Sequence, residues 1–104
     1  MTGPAMTTDE AKAAVSKKTK PRVTEEAITA AIKNVEYLTH GLSTICIIEM
    51  YNGFKFFGHS TPAHAGNYDV AVGQRYAYDN CFKQIWQFEG YMLREQLYQS
   101  EQQG

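Results

Sequence analysis

The stretch EYLTHGLSTICIIEMYNGFKFFGHS (residues 36–60) decides the fold, because it carries the strongest local structural signal of the chain. Its Asn52-Gly53 pair lies between two β-prone runs, and both residue types tolerate the positive φ angles of a tight hairpin turn. A two-residue loop predicts that Glu49 pairs with Phe56 and that Cys46 pairs with His59. We expect residues 36–40 to add a third strand at one edge.

This register gives the predicted hairpin two largely apolar faces. A hairpin with one solvated face alternates more cleanly between apolar and polar residues. We therefore expect helices on one face, a second subunit or a ligand on part of the other, and hence a homo-oligomer. The two predicted faces are Ile45, Ile47, Glu49, Tyr51, Phe54 and Phe56 on one side, and Cys46, Ile48, Met50, Lys55, Phe57 and His59 on the other.

Helical patterns flank the hairpin. Residues 23–37 are predicted to form a helix capped by Thr24, with one buried stripe of Ile28, Ala31, Ile32 and Val35 at helical spacing. After the loop, residues 67–100 are predicted to be helical, with Asn67 as the cap. Its apolar stripe is expected to contain Ala71, Tyr78, Cys81, Ile85 and Phe88, and a break or bend is expected at Gly90. The fold class is α+β: an N-terminal helix, a small antiparallel sheet built on the hairpin, and a helical C-terminal third packed on that sheet.

The first 22 residues differ in composition from the rest of the chain. They hold five of the ten Lys and Arg residues and almost no large apolar side chains. We expect residues 1–22 to be a disordered basic leader and residues 23–104 to be a single α+β domain. The acidic balance of that domain argues against a specific nucleic-acid partner, because duplex binding depends on many phosphate contacts.

Membrane and disulfide roles are not expected either. No apolar run approaches the roughly 20 residues of a membrane span, and the N-terminus lacks the apolar core of a signal peptide. A cytoplasmic location is therefore predicted, without a membrane partner. Cys46 and Cys81 are predicted to lie in a strand and in a helix interior, as buried free thiols.

Two reactive constellations are conceivable in the loop GHSTPAHAGNYD (residues 58–69), and neither meets its chemical requirement. His59, His64 and Asp69 could approach a metal, but a catalytic zinc ion needs three ligands that are held rigidly. A nucleophilic pair of Cys81 and His59 would need a reactive thiolate, whereas a thiol on an apolar stripe is inert. We therefore expect no catalytic residue, no metal and no cofactor.

A binding constellation remains. The loop leads into a helix start at Asn67, where free backbone N–H groups and the helix dipole favour anions such as phosphate. Rings that could stack on a base and polar side chains that could bind a nucleotide lie close by in sequence. The alternative is that Asn67 only caps, that Phe57 only packs, and that the helix charges are solvated. The candidate ligand-binding residues are Phe54, Phe57, His59, Asn67, Arg75, Asn80 and Lys83.

From about residue 21 to residue 98, the sequence resembles the small tailed-phage protein family known as the gene-49/gene-66 group. The matching pieces are PRVT before the first helix, NGF at the turn, NYD followed by VG, and KQIWQFEGYMLR near the end. This layout is also similar to that of the Thoeris anti-defence sponge proteins of the first kind, which form oligomers and sequester cyclic immune signals without cleaving them. That similarity implies a stacking role for Phe57, a ligand contact for Asn67 and a phosphate contact near Lys83.

The sequence and these resemblances predict a phage-encoded, non-enzymatic binding protein in the cytoplasm of the infected bacterial host. It would sequester cyclic nucleotide signals, of the cyclic ADP-ribose type or cyclic oligonucleotides. The alternative is an oligomeric protein-interaction module that acts on a host protein. A third hypothesis, in which His59 or His64 acts as an acid or base in nucleotide degradation, would require a cleaved product.

Overall fold

The computed structural model describes residues 6–16 and 20–103. These residues form helices α1 (Thr8–Ser16) and α2 (Glu25–Ala30), then strands β1 (Ile32–His40), β2 (Ser43–Met50) and β3 (Lys55–Ser60). A 3₁₀ turn (Ala65–Asn67) leads to the long helix α3 (Val70–Gln103). The strands form an antiparallel sheet in the order β1-β2-β3, and α3 packs on it, which confirms the α+β class. In the described ranges, no helix is apolar enough over a sufficient length to cross a bilayer.

The β2–β3 hairpin forms at the predicted place, with a register that differs by one residue. Glu49 pairs with Lys55 and Cys46 with Gly58, so the pairings of Glu49 with Phe56 and of Cys46 with His59 were wrong. The turn holds three residues: the Met50 N–H donates to the Phe54 carbonyl (2.9 Å), and the Gly53 N–H donates to the Met50 carbonyl (2.9 Å). A two-residue turn of the Asn-Gly type needs positive φ at both positions, whereas only Gly53 (φ +92°) has it here.

The one-residue difference changes which residues share a face. Phe56 is 7% exposed and lies on the inner face, towards α3, together with Cys46, Ile48 and Met50. Phe57 is 54% exposed and points to the opposite, outer face. The expectation that a helix covers one face of the sheet is therefore confirmed for the inner face. The faces predicted for Phe54, Phe56 and the other β3 residues were wrong.

The predicted N-terminal helix is much shorter than its pattern indicates. Thr24 is its cap, as predicted, since its side-chain oxygen accepts a hydrogen bond from the Ala27 N–H (3.1 Å). Helix α2 ends at Ala30, and β1 begins at Ile32, so the helix predicted through residue 37 was wrong. The register shifts between Ile32 and Asn34, and this irregularity places Ile32 and Val35 opposite Met50 and Ile48. Because of the extra residue, Ile32 and Val35 share one face of the strand although they are three positions apart, a spacing that is also typical of a helix.

Helix α3 lies across the inner face and supplies one half of the core. Ala77, Cys81 and Ile85 are fully buried against the inner-face residues of β2 and β3. The helix continues through Gly90, so a break there was wrong, whereas the alternative of a bend stays a prediction. Nothing lies within 4 Å of the place where a Cβ of Gly90 would stand, which shows that Gly90 is not required by close packing.

Gly58 sets how closely α3 approaches the sheet. A Cβ on Gly58 would lie 2.6 Å from the Ala77 carbonyl oxygen and would also meet the backbone of Cys81. Because both neighbours belong to the helix backbone, no side-chain rotation could make room. The glycine thus allows β3 and α3 to pack with their backbones in contact.

Both cysteines are buried and free, as predicted, and they lie in β2 and α3. Burial, and after it the neighbouring Cys81, together raise the pKa of the Cys46 thiol from 9.0 to about 12. Burial likewise raises the pKa of Cys81. At neutral pH both side chains are therefore protonated, small apolar groups of the core.

Helix α1 falls inside the segment for which composition predicts disorder. Its start is a capping box: the Thr7 hydroxyl oxygen accepts from the Glu10 N–H (3.0 Å), and the Thr7 N–H donates to the Glu10 carboxylate (2.8 Å). The spacing of Thr7 and Glu10 was a readable helix signal. The rest of the predicted leader includes residues 1–5 and 17–19, which lie outside the described residues, and the boundary at residue 23 stays a prediction.

Candidate functional site

A cavity of about 310 Å³ lies where the loop after β3 meets the first turns of α3. Its walls come from the ends of β2 and β3, from residues 61–69, and from Val72, Gly73 and Tyr76 of the helix. A Cβ on Gly73 would lie 2.6 Å from the Thr44 hydroxyl oxygen, so a side chain there would require Thr44 or the helix start to shift. Gly73 therefore allows the close approach of α3 to Thr44 at the base of the cavity.

The loop has its own internal hydrogen bonds. The Nδ1 atom of His64 accepts from the Gly66 N–H (2.9 Å), and the Asn67 N–H donates to the His64 carbonyl (2.9 Å). These bonds close the 3₁₀ turn, so the role of His64 that the structure shows is to stabilise the loop. The Ser43 and Thr61 hydroxyls are 2.7 Å apart, which ties the loop to the start of β2.

The N-terminus of α3 is capped by Asp69, so the prediction that Asn67 caps this helix was wrong. The Asp69 carboxylate accepts from the Val72 N–H (3.1 Å), and the Asp69 carbonyl accepts from the Gly73 N–H (2.8 Å). The carboxylate also places a negative charge at the positive end of the helix dipole. An anion at this end would have to compete with Asp69, which disfavours a simple phosphate site on the helix amides.

A second, shallower cavity of about 430 Å³ adjoins the first, and both are lined by Ser60, Thr61 and Tyr76. His59, Asp79 and Asn80 complete its wall. We call the two cavities together the loop groove. The Tyr76 ring is 58% exposed and stands between them. A flat ring flanked by hydroxyl, amide and carboxylate groups can hold a heterocycle that carries sugar hydroxyls.

The predicted site residues fall in three places. His59, Asn67 and Asn80 line the loop groove. Arg75 lies beside it, where its guanidinium is 3.0 Å from the Asp79 carboxylate and 5.9 Å from the centre of the Tyr78 ring. Lys83 is exposed on α3, two turns beyond Tyr76 and roughly 10 Å along the axis.

The two predicted phenylalanines lie outside the loop groove. Phe57 belongs to the outer face of the sheet, and only its carbonyl is engaged on the helix side, by the Gln84 side-chain amide (2.6 Å). Phe54 lies at the hairpin tip, in a different cavity. Sequence reasoning missed Tyr76, although its position off the apolar stripe of Cys81 and Ile85 indicated an exposed ring.

The hairpin tip forms an aromatic cavity of about 430 Å³. The rings of Phe54, Phe56 and Phe88 meet there, with ring centres 5.1 to 6.0 Å apart, and two of the three contacts are edge-on. Met50 and Met92 line the same cavity. We call it the tip cavity; its apolar lining suits an apolar side chain rather than a nucleotide.

No group of three or more His, Cys, Asp or Glu side chains that could hold a metal ion occurs within residues 6–16 and 20–103.

Asn80 makes a hydrogen bond to the sheet, since its amide donates to the His59 carbonyl (2.9 Å) at the edge of β3. Asn80 also lines the loop groove, so it connects that groove to the edge of β3.

Comparison with known proteins places the chain in a family. The family model described as Phage protein (N4 Gp49/phage Sf6 gene 66) matches residues 23–97. No curated protein and no solved structure matches the chain. The matched range contains NGF, NYD and KQIWQFEGYMLR, on which the resemblance to the gene-49/gene-66 group was based. Because the match covers well over half of the sequence, the chain belongs to the phage protein family of N4 Gp49 and phage Sf6 gene 66.

Proposed function

We propose that the protein is a non-enzymatic binding protein that sequesters a cyclic nucleotide immune signal, of the cyclic ADP-ribose type or a cyclic oligonucleotide. It would act in the cytoplasm of the infected bacterium, a location supported by its membership in a phage protein family. The observation that carries the proposal is the loop groove, in which the exposed Tyr76 ring stands among Asn67, Thr61 and Asn80.

The groove offers a distinct contact to each part of a nucleotide. Tyr76 would stack on the base, because base–aromatic stacking needs only an accessible ring face. The Asn67 amide and the Asp69 carboxylate would bond ribose hydroxyls, with the carboxylate as acceptor. Arg75 would contact a phosphate by exchanging its partner Asp79 (3.0 Å) for the ligand's oxygen. In this arrangement Tyr76 takes the stacking role that the sequence assigned to Phe57.

The carboxylates of the groove and the nearby thiol support binding without turnover. The Asp69 carboxylate is engaged by the helix N-terminus, and Asp79 is paired with Arg75. The nearby thiol of Cys81 is buried, and burial raises its pKa, so it is a poor nucleophile. The ligand would leave the groove chemically unchanged.

The test is calorimetric titration of the full chain with cyclic ADP-ribose and with a cyclic dinucleotide, followed by heat denaturation and mass spectrometry of the released ligand. We expect saturable binding of one class and recovery of the intact ring. Tyr76→Ala should weaken binding by roughly 5- to 150-fold, the equivalent of about 1–3 kcal/mol for one stacked base. Tyr91→Ala removes an even more exposed ring (71%) on the same helix and should change affinity less than twofold.

Three results would overturn this proposal. If neither class of ligand bound at 100 µM protein, the proposal that the protein binds a cyclic nucleotide would be wrong. Equal losses in the Tyr76→Ala and Tyr91→Ala variants would remove the loop groove as the site. If mass spectrometry detected a linearised product, the protein would be an enzyme that cleaves the ligand and not a protein that sequesters it.

The tip cavity favours a second candidate, an interaction module that acts on a host protein. Phe54 is exposed although it packs edge-on against Phe56 (5.1 Å), and the cavity beside it can accept one large apolar side chain. A host protein captured by the wild type and the Tyr76→Ala variant, but lost with Phe54→Ala, would select this candidate. Loss only on deletion of residues 1–22 would assign the contact to the leader instead.

A further inference from the structure

An ion pair stands at the edge of the loop groove, on helix α3. The Nε atom of Arg75 donates to one carboxylate oxygen of Asp79 (3.2 Å), and the Nη2 atom lies 3.0 Å from the other oxygen. A guanidinium takes two oxygens of a phosphate with the same fork of two parallel hydrogen bonds. The Asp79 carboxylate therefore occupies the position on Arg75 that a phosphate of the ligand would take.

Asp79 lies between Arg75 and the stacking ring of the groove. Successive residues of an α-helix are about 100° apart around its axis, so Asp79 lies roughly 40° from Arg75 and roughly 60° from Tyr76, between the two. Asp79 lines the shallower cavity of the groove together with Tyr76. A ligand stacked on Tyr76 would therefore reach the guanidinium at the place that the Asp79 carboxylate holds.

The ion pair is weak enough for a ligand to open. The Arg75 side chain is 71% exposed and the Asp79 side chain 45% exposed. Exposed ion pairs of this kind favour the closed state by a factor of about two, rising to about five in the strongest cases. The guanidinium carbon also lies 5.9 Å from the centre of the Tyr78 ring. This cation–π contact does not involve Asp79, so it can keep Arg75 at the groove edge after the pair opens.

The ion pair makes binding depend on the charge of the ligand. An oxyanion can replace the carboxylate on the guanidinium, because it accepts the same two hydrogen bonds and is negatively charged. An uncharged group attracts the guanidinium less than the carboxylate does, so Arg75 would stay with Asp79. The apparent affinity for an oxyanion is thus reduced by the fraction of molecules in which the pair is open.

We propose that Asp79 is an internal competitor of the ligand, which holds the Arg75 guanidinium until an oxyanion of the ligand displaces it. Asp79 thereby sets the affinity of the loop groove and its preference for charged over uncharged ligands. This inference rests on the proposed function, because it concerns the ligand of the same groove. It adds the expectation that removing a charged side chain from the edge of the site strengthens binding.

Calorimetric titration of full-chain variants tests the competitor, with cyclic ADP-ribose or the cyclic dinucleotide, whichever binds the wild type. Asp79→Asn should tighten binding roughly two- to sixfold, because Arg75 is then available before the ligand arrives. Glu101→Gln is the matched control, since Glu101 forms a similar exposed fork with Arg94 (3.1 and 3.2 Å), roughly 33 Å further along α3. It removes the same charge beyond the range of screened electrostatics and should change affinity less than about 1.5-fold.

A double-mutant cycle shows whether Asp79 acts through Arg75. Arg75→Gln should weaken binding, and adding Asp79→Asn to it should then recover little, since no guanidinium is left for the carboxylate to hold. Simple repulsion between Asp79 and the ligand would instead give the same gain in both backgrounds.

The outcomes separate this inference from the proposed function. If the wild type binds but Asp79→Asn does not tighten binding, or if the gain is equal in both backgrounds, the competitor is overturned while the proposed function stands. A gain with Glu101→Gln that equals the gain with Asp79→Asn would overturn the competitor as well. If neither the wild type nor Asp79→Asn binds either ligand, the proposed function itself is wrong, and this inference falls with it.

Discussion

Replacing Gly58 by alanine should destabilise the fold more than any other single methyl group added to the sheet. The new Cβ would stand 2.6 Å from the Ala77 carbonyl oxygen, whereas ordinary contacts begin at 3.4 Å. Helix and strand must therefore separate by at least about 0.8 Å, the difference between these two distances, and by more to clear the Cys81 backbone nitrogen, which is nearer still. A gap of this size forfeits roughly a quarter to a half of each dispersion contact across the interface.

The expected cost lies at the upper end of the range for overpacked cores, about 3 kcal/mol in the free energy of unfolding. Both obstructing groups are backbone atoms, so the strain cannot be relieved by a rotamer change. For a domain of this size, a loss of about 3 kcal/mol corresponds to a fall of roughly 12–24 °C in Tm. Urea denaturation followed by circular dichroism, together with calorimetry, measures both quantities.

Gly90→Ala is the matched control, because it makes the same chemical change within α3. Nothing lies within 4 Å of its Cβ position, so alanine should stabilise the helix by about 0.5–1 kcal/mol. The two substitutions are thus expected to have opposite signs. If Gly58→Ala unfolded within about 0.5 kcal/mol of the wild type, the close contact between β3 and α3 would be wrong.

Three further changes test single contacts. Asp69→Ala should cost about 1 kcal/mol in the free energy of unfolding because it removes the α3 cap, whereas Asn67→Ala should cost less than half of that; the reverse order in urea denaturation would restore Asn67 as the cap. Gln84→Met should cost about 0.5–1.5 kcal/mol by leaving the Phe57 carbonyl without its donor, and equal stability in the same assay would contradict that role. The pKa of the Cys46 thiol is raised from 9.0 to about 12, so the stability from its protonated form is present below pH 9 and lost as pH rises towards 12. Urea titrations across that range should show this loss, and Cys46→Ala should reduce the slope.

The sequence predicted the elements better than their exact pairing. Asn52-Gly53 located the hairpin correctly, because a residue with positive φ is needed there whichever turn forms. It did not decide between a two-residue and a three-residue loop, since glycine suits both. The local motif is the same in the two cases, and the burial of Phe56 rather than Phe57 depends on contacts with a distant helix.

The candidate site was harder to predict, for a similar reason. His59 and Asn67 belong to the loop in sequence, Asn80 lies about three helical turns beyond it, and all three line the loop groove. Phe57 was assigned to the site from its nearness in sequence and from the resemblance, but the observed register places it on the outer face of the sheet, away from the loop groove. Tyr76 lies on the helix at a position that depends on where α3 begins, and this start was misplaced at Asn67.

The buried core and the proposed binding site lie on different parts of this chain, and this separation makes the functional proposal testable. The buried apolar residues lie around the inner face, between the sheet and the helices α2 and α3. Tyr76 in the loop groove and Phe57 on the outer face are both more than half exposed and belong to neither side of that core. Since substitutions at exposed positions usually change stability by less than about 0.5 kcal/mol, a loss of ligand binding in the Tyr76→Ala variant can be attributed to the surface itself.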